Sequence, residues 1–98
     1  MDEGEPTGSR ATRHDLQEWL VDALRAYGGS ATIVQVCEHV WGHHEQDLRE
    51  AGDLFYTWQY DIRWAATKLR KQGIVGPPSA APVGTWILIA DELAYGRR

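Results

Sequence analysis

The sequence predicts an α+β domain, mainly α, in which three helices are closed by a small antiparallel β-hairpin. Three observations predict it. Apolar residues recur at helical spacing in three separate stretches. Glycines fall just after the first and third of these stretches, where a helix can end in a left-handed residue. A Pro/Gly-rich run then leads into a β-branched and aromatic segment, Thr85 to Ile89.

Leu16, Trp19, Leu20, Ala23, Leu24 and Tyr27 make the first stripe, on a helix over about 13–27. Thr12 stands three residues before Asp15, an approximate capping-box spacing, and Gly28-Gly29 ends the helix. Its other face, Asp15, Glu18, Asp22 and Arg25, is polar. Ser30 to Thr32 can pair as a short edge strand. Thr32 and Gln35 repeat the capping-box spacing, and Ile33, Val36, Cys37, Val40 and Trp41 form the stripe of a second helix over about 33–41. Gly42 to Asp53 is polar and interrupted by two glycines, and reads as a linker with one helical turn around Asp47 to Ala51.

The third helix, about 57–72, carries Trp58, Ile62, Ala65, Ala66 and Leu69 on one face. Gly73 supplies its C-cap, and Ile74-Val75 is a short β-prone run. Gly76 to Gly84 holds three prolines and cannot be helix. Asp91 to Tyr95 is expected to add a final turn. Trp19, Leu20, Leu24, Val36, Val40, Ile62, Leu69 and Trp86 are the expected core. This element order is that of a winged helix-turn-helix, with 76–84 as the wing. The domain spans 12–95, between a disordered acidic leader (1–11) and a frayed tail (96–98).

Charge is unevenly placed in a chain whose formal net charge is −4. Met1 to Asp61 holds twelve Asp or Glu against four Arg, whereas Ile62 to Ala90 holds Arg63, Lys68, Arg70 and Lys71 and no acidic residue. A local basic surface matters more to a polyanion than the total does. The 43% hydrophobic fraction and five Trp mark a folded chain, disordered ones being poor in aromatics. One cysteine, Cys37, rules out an intramolecular disulfide and a Cys-based zinc site. No signal-peptide pattern opens the chain. Its longest apolar run, Trp86 to Ala90, is far short of the ~20 residues that span a bilayer. A cytoplasmic protein without a membrane partner is the expectation.

Tyr60-Asp61-Ile62-Arg63-Trp64-Ala65-Ala66-Thr67-Lys68-Leu69-Arg70-Lys71-Gln72-Gly73-Ile74-Val75, followed by Gly84-Thr85-Trp86-Ile87-Leu88, resembles the N-terminal winged-helix domain of Mrr-type restriction proteins. There, a hydrophobic-x-Trp-Ala-x-x-x-Leu-x-x-x-Gly-Leu helix end precedes a Gly-x-Trp strand. The resemblance covers about 57–89 and implies DNA contact through the third helix and the wing. Two features depart from the pattern. The 98 residues are expected to hold the winged helix and no nuclease domain, and the wing carries no Lys or Arg.

Arg63, Lys68, Arg70 and Lys71 are the candidate phosphate contacts, with Tyr60 and Thr67 able to reach base edges. The bland reading is a solvated helix face. Trp64 projects opposite the stripe: either it is exposed and stacks on or anchors a partner, or the second helix, the linker or a strand covers it. His39 and His43 have the spacing of a helical metal half-site, but no second pair follows, and ordinary surface histidines are expected. Cys37 reads as a buried small hydrophobe. No catalytic constellation is visible, so neither an enzyme nor a cofactor is expected. The leading expectation is a regulator or chromosome- or phage-associated factor that binds double-stranded DNA through Tyr60, Arg63, Trp64, Thr67, Lys68, Arg70 and Lys71. The alternative is a protein-interaction module using the Trp64/Tyr60 face, as a docking unit or a homodimer.

Overall fold

Backbone hydrogen bonding at the helix ends sets the lengths of the elements in the computed structural model, which describes residues 11–89. α1 (Asp15–Ala26) is entered through Thr12, whose N–H donates to the Asp15 carboxylate at 2.9 Å. Only half of the expected capping box forms, because the Thr12 hydroxyl accepts from the His14 N–H at 3.3 Å instead. At the other end Gly28 and Gly29 take φ of 82° and 109°. Their N–H groups donate to the carbonyls of Arg25 (3.0 Å) and Leu24 (2.7 Å), the paired bonds of a Schellman cap. β1 (Ser30–Thr32) follows at once.

α2 (Ile33–Arg49) starts on a complete capping box. Gln35 N–H donates to the Thr32 hydroxyl at 3.1 Å, and Thr32 N–H donates to the Gln35 side-chain oxygen at 2.9 Å. The helix runs well past the predicted end at 41, through much of the stretch read as a linker, with a kink at His44 (φ −132°, ψ 22°). The polar composition of that stretch hides an inward Leu48 that is fully buried, while Arg49 donates to Glu45 at 2.7 Å along the outer face. Glu50 to Asp53 makes the turn, with Gly52 at φ 72°.

α3 (Leu54–Lys71) begins three residues before the predicted start, because buried Leu54 extends the Trp58–Ile62 stripe by one turn. Gly73 (φ 79°) closes it as expected. Gly73 N–H donates to the Arg70 carbonyl and Ile74 N–H to that of Leu69, the same cap as on α1. The following loop contains a short 3₁₀ turn, Pro78–Ala80, where a coil was expected. Pro78 opens that turn, a position that needs no N–H and suits proline's fixed φ.

β2 (Thr85–Ile87) pairs antiparallel with β1: Ser30 faces Ile87, Ala31 faces Trp86 and Thr32 faces Thr85. The predicted hairpin partner, Ile74-Val75, contributes a single bridge from Val75 to Leu88. It is held on either side by Gly76 N–H donating to the Ile87 carbonyl (2.9 Å) and Ile89 N–H donating to that of Ile74 (2.8 Å). The closing strand therefore lies between 30–32 and 74–76. A side chain at Gly76 would place its Cβ 2.8 Å from a methyl of Ile87.

Leu20, Leu24, Val36, Val40, Ile62 and Leu69 are fully buried, as expected, and Trp86 nearly so. Trp19 is only half-buried. It lies at the edge of α1 and stacks on His44 at the α2 kink, ring centroids 3.8 Å apart. Ala11, assigned to the leader, is buried against the core. The expected turn at 91–95 and the frayed tail lie outside the described residues. No helix among the described residues is long and apolar enough to cross a membrane.

Two substitutions test this packing. Leu69→Ala should cost about 2–5 kcal/mol, the usual range for truncating a core leucine. At roughly 4–8 °C per kcal/mol the loss is plain in a thermal melt; a parent-like melting temperature would mean Leu69 is not in the core. Gly42 is inside α2 with nothing within 4 Å of where a Cβ would go. Gly42→Ala should therefore stabilise by about 0.5–1 kcal/mol, and a destabilised variant would contradict a helical 42–49.

Candidate nucleic-acid interface

With Trp58, Ile62, Ala65, Ala66 and Leu69 turned into the core, α3 must present its other side to solvent. Tyr56, Tyr60, Arg63, Thr67 and Lys71 recur along that side at steps of four and three residues, and all are exposed. The two tyrosines stand out from the surface at 83% and 76% exposure. Tyr56 stands one residue before the expected start of the helix and so outside the expected face. Its spacing of four from Tyr60 is the signal that would have found it. Thr67 spends its hydroxyl proton on the Arg63 carbonyl (3.1 Å) and keeps only acceptor capacity for a partner.

Trp64 and Lys68 lie on the flank that meets the entrance of α1. Trp64 is half-buried and packs against the core. The Arg13 guanidinium carbon lies over the indole, 4.2 Å from its centroid, His14 meets the ring edge-on at 5.5 Å, and Lys68 Nζ lies 5.7 Å from the same ring. Arg13 is therefore a further cation beside α3. No local pattern could nominate it, since its partner lies two helices away in the chain.

Arg70 keeps its charge but is tied to the backbone of the following loop. Its Nε donates to the Gly76 carbonyl at 2.9 Å, and the side chain is half-buried, anchoring the start of the Pro-rich loop. Arg63 is on the flank opposite Lys68, at the border of a groove between α2 and α3 lined by Ile33, Val34, Cys37, Trp41, Phe55 and Trp58. Cys37 is half-buried in that groove rather than enclosed. Burial pushes its thiol up from the ordinary range, and the positive charge of Arg63 partly opposes the shift.

The histidines gather where α2 meets α1. The His39 and His43 rings stack at 4.0 Å, and His43 Nδ1–H donates to the His39 carbonyl at 3.0 Å. His44 Nδ1 lies 3.4 Å from the Asp47 carboxylate. Among the described residues no three His, Cys, Asp or Glu converge so as to hold a metal ion. His39 Nδ1 is enclosed without a hydrogen-bond partner. Burial, reinforced by His43 and His44 and opposed by Asp22, holds the His39 pKa below the ordinary 6.5.

A histidine with a depressed folded-state pKa protonates first in the unfolded chain. Around and below pH 6.5 the unfolded state therefore binds more protons, and stability falls as the pH is lowered through that value. The melting temperature should drop between about pH 7 and 5, and His39→Gln should flatten that drop. An equal slope in the variant would place the pH sensitivity elsewhere.

No family model, curated protein or solved structure matches the chain. What the site does must be argued from its own residues.

Proposed function

We propose that the chain is a winged helix-turn-helix domain that binds double-stranded DNA through α3. One observation carries the reading: Arg63, Lys68 and Lys71 stand on the outward side of α3, and none has a carboxylate partner among the described residues. Cations left unpaired beside exposed Tyr60 and Thr67 suit a helix that lies in the ~12 Å major groove, where charge positions the protein and polar groups read base edges.

The architecture supports it. α2 and α3 are joined by a four-residue turn with a left-handed glycine, as in helix-turn-helix motifs. The 76–84 loop leaves the sheet beside the end of α3, where a wing belongs. The Mrr-like resemblance is consistent with where its residues fall: Ala65, Leu69 and Trp86 in the core and Gly73 at the cap. The loop has no cation, so α3 and its flanks supply the charge, and a role as a regulator or chromosome- or phage-associated factor would rest on those contacts.

Three or four neutralised phosphates per molecule give a log–log salt slope of about −3 to −4, and non-specific dissociation constants on the order of 10⁻⁴ to 10⁻⁶ M at physiological salt. Changing Lys68 and Lys71 together to Ala should leave the fold intact, both being exposed. It should weaken binding to every sequence and make the slope shallower by about 2. A folded double variant with the parent's affinity and slope would show that α3 is not the contacting element.

A second reading, protein docking, is favoured by the apolar groove between α2 and α3 and by exposed Val34 in its lining. With Trp64 under Arg13, the apolar surface open to a protein partner or a second copy lies there rather than on a Trp64/Tyr60 face. A parent protein without salt-sensitive DNA binding would select this reading.

A further inference from the structure

We propose that Arg13 and Lys68, gathered around Trp64, form a clamp for one backbone phosphate of duplex DNA, so that the entrance of α1 and the middle of α3 hold the same anion. The inference rests on the DNA-binding reading and adds to it a residue outside α3 and a defined ligand group.

Two cations are drawn to one indole, Arg13 at 4.2 Å and Lys68 at 5.7 Å from the ring centroid, and neither has a carboxylate partner among the described residues. Two like charges beside one ring repel each other, and an anion held by both would relieve that repulsion. The indole quadrupole offsets part of that repulsion. It also fixes geometry. A guanidinium carries its N–H groups around its edge, and a cation–π contact engages its charge rather than those groups, so lying over Trp64 restrains Arg13 without consuming its donors. A phosphate meeting that edge finds a fork whose rotamer is already restricted, which lowers the entropy lost on binding. Lys68, a point charge on a flexible stem, can approach the same phosphate from α3. His14, edge-on to the indole at 5.5 Å, closes one side of the ring.

Arg70 shows the contrast. It is also a cation of α3, yet its Nε is committed to the Gly76 carbonyl. Among the described residues Arg13 and Lys68 have aromatic partners only, which place them and leave their donors free.

The test is a double-mutant cycle read by fluorescence anisotropy of a labelled random-sequence duplex across a salt series, on the full chain, with circular dichroism to verify folding. Arg13→Gln should weaken binding about tenfold, the effect of losing one strong charge-assisted contact. It should also make the log–log slope shallower by about 0.9, one phosphate's worth. Lys68→Gln should do nearly the same. The double variant should lose little more slope than either single variant, because the phosphate is held in the clamp only while both cations are in place. Arg13→Lys should keep the slope and lose severalfold in affinity, since the charge remains and the stacked fork does not.

Independent losses of slope in the double variant would overturn the clamp by assigning the residues to different phosphates. Arg13→Gln binding like the parent, while Lys71→Ala weakens, would overturn it and leave the DNA-binding reading standing. A parent that binds no duplex would remove both. If Arg13→Gln did not fold, Arg13→Lys and Lys68→Gln would decide the matter by the same slopes.

Discussion

Everything in this fold depends on the apolar stripe of α3 being fully taken up by the core. Ile62, Ala65, Ala66 and Leu69 are buried, and two adjacent alanines let neighbouring backbone come close where larger side chains would hold it away. Once that face is committed, the direction of every other α3 side chain is fixed by helical geometry. Tyr60, Arg63, Thr67 and Lys71 are outward because Ile62 and Leu69 are inward. The candidate interface is thus a consequence of core packing. A rotation of α3 that moved Leu69 would carry the cations with it.

The end of the same helix determines the sheet. The Schellman cap at Gly73 turns the chain so that Ile74 and Val75 enter the core, and Gly76 then meets the Ile87 carbonyl. Arg70 reinforces the turn through its bond to the Gly76 carbonyl. β2 is pinned from the far side by β1, itself set by the glycine cap of α1 and the capping box of α2. Two glycine caps and one threonine therefore bring three short extended segments together, each too short to hold a sheet without the others.

Local signals were legible in the sequence, and signals that need a partner were not. The α1 stripe, the Thr32–Gln35 box and the Gly73 cap each lie within one or two turns of chain, where propensity and geometry act directly. The continuation of α2 was hidden because helix 42–49 is anchored by one buried residue, Leu48, amid charged neighbours. Its outer face is held by pairs such as Glu45–Arg49 that composition alone assigns equally to a solvated linker. In the candidate site, the outward positions of Tyr60, Arg63, Thr67, Lys68 and Lys71 followed from periodicity. Capture of Arg70 by Gly76 and cover of Trp64 by Arg13 did not, since both depend on where another segment returns.

Placing a polyanion on a chain of net charge −4 asks where the negative charges are spent. On α1, Asp22 accepts from Arg25 at 3.1 Å and Asp15 accepts from the Thr12 backbone. On α2, Glu45 is paired with Arg49, and Asp47 lies beside His44. On α3, Asp61 accepts from the Thr57 hydroxyl at 2.7 Å. A carboxylate paired with a cation, as Asp22 and Glu45 are, projects less field than its formal charge suggests, and beyond about 8 Å exposed charges are largely screened at physiological salt. Arg63, Lys68 and Lys71 have no such local partners among the described residues, so their charge remains available at the surface. Among the described residues Asp22 and Glu45 are thus each paired with an arginine on their own helix, while Arg63, Lys68 and Lys71 keep their charge without such a partner on α3.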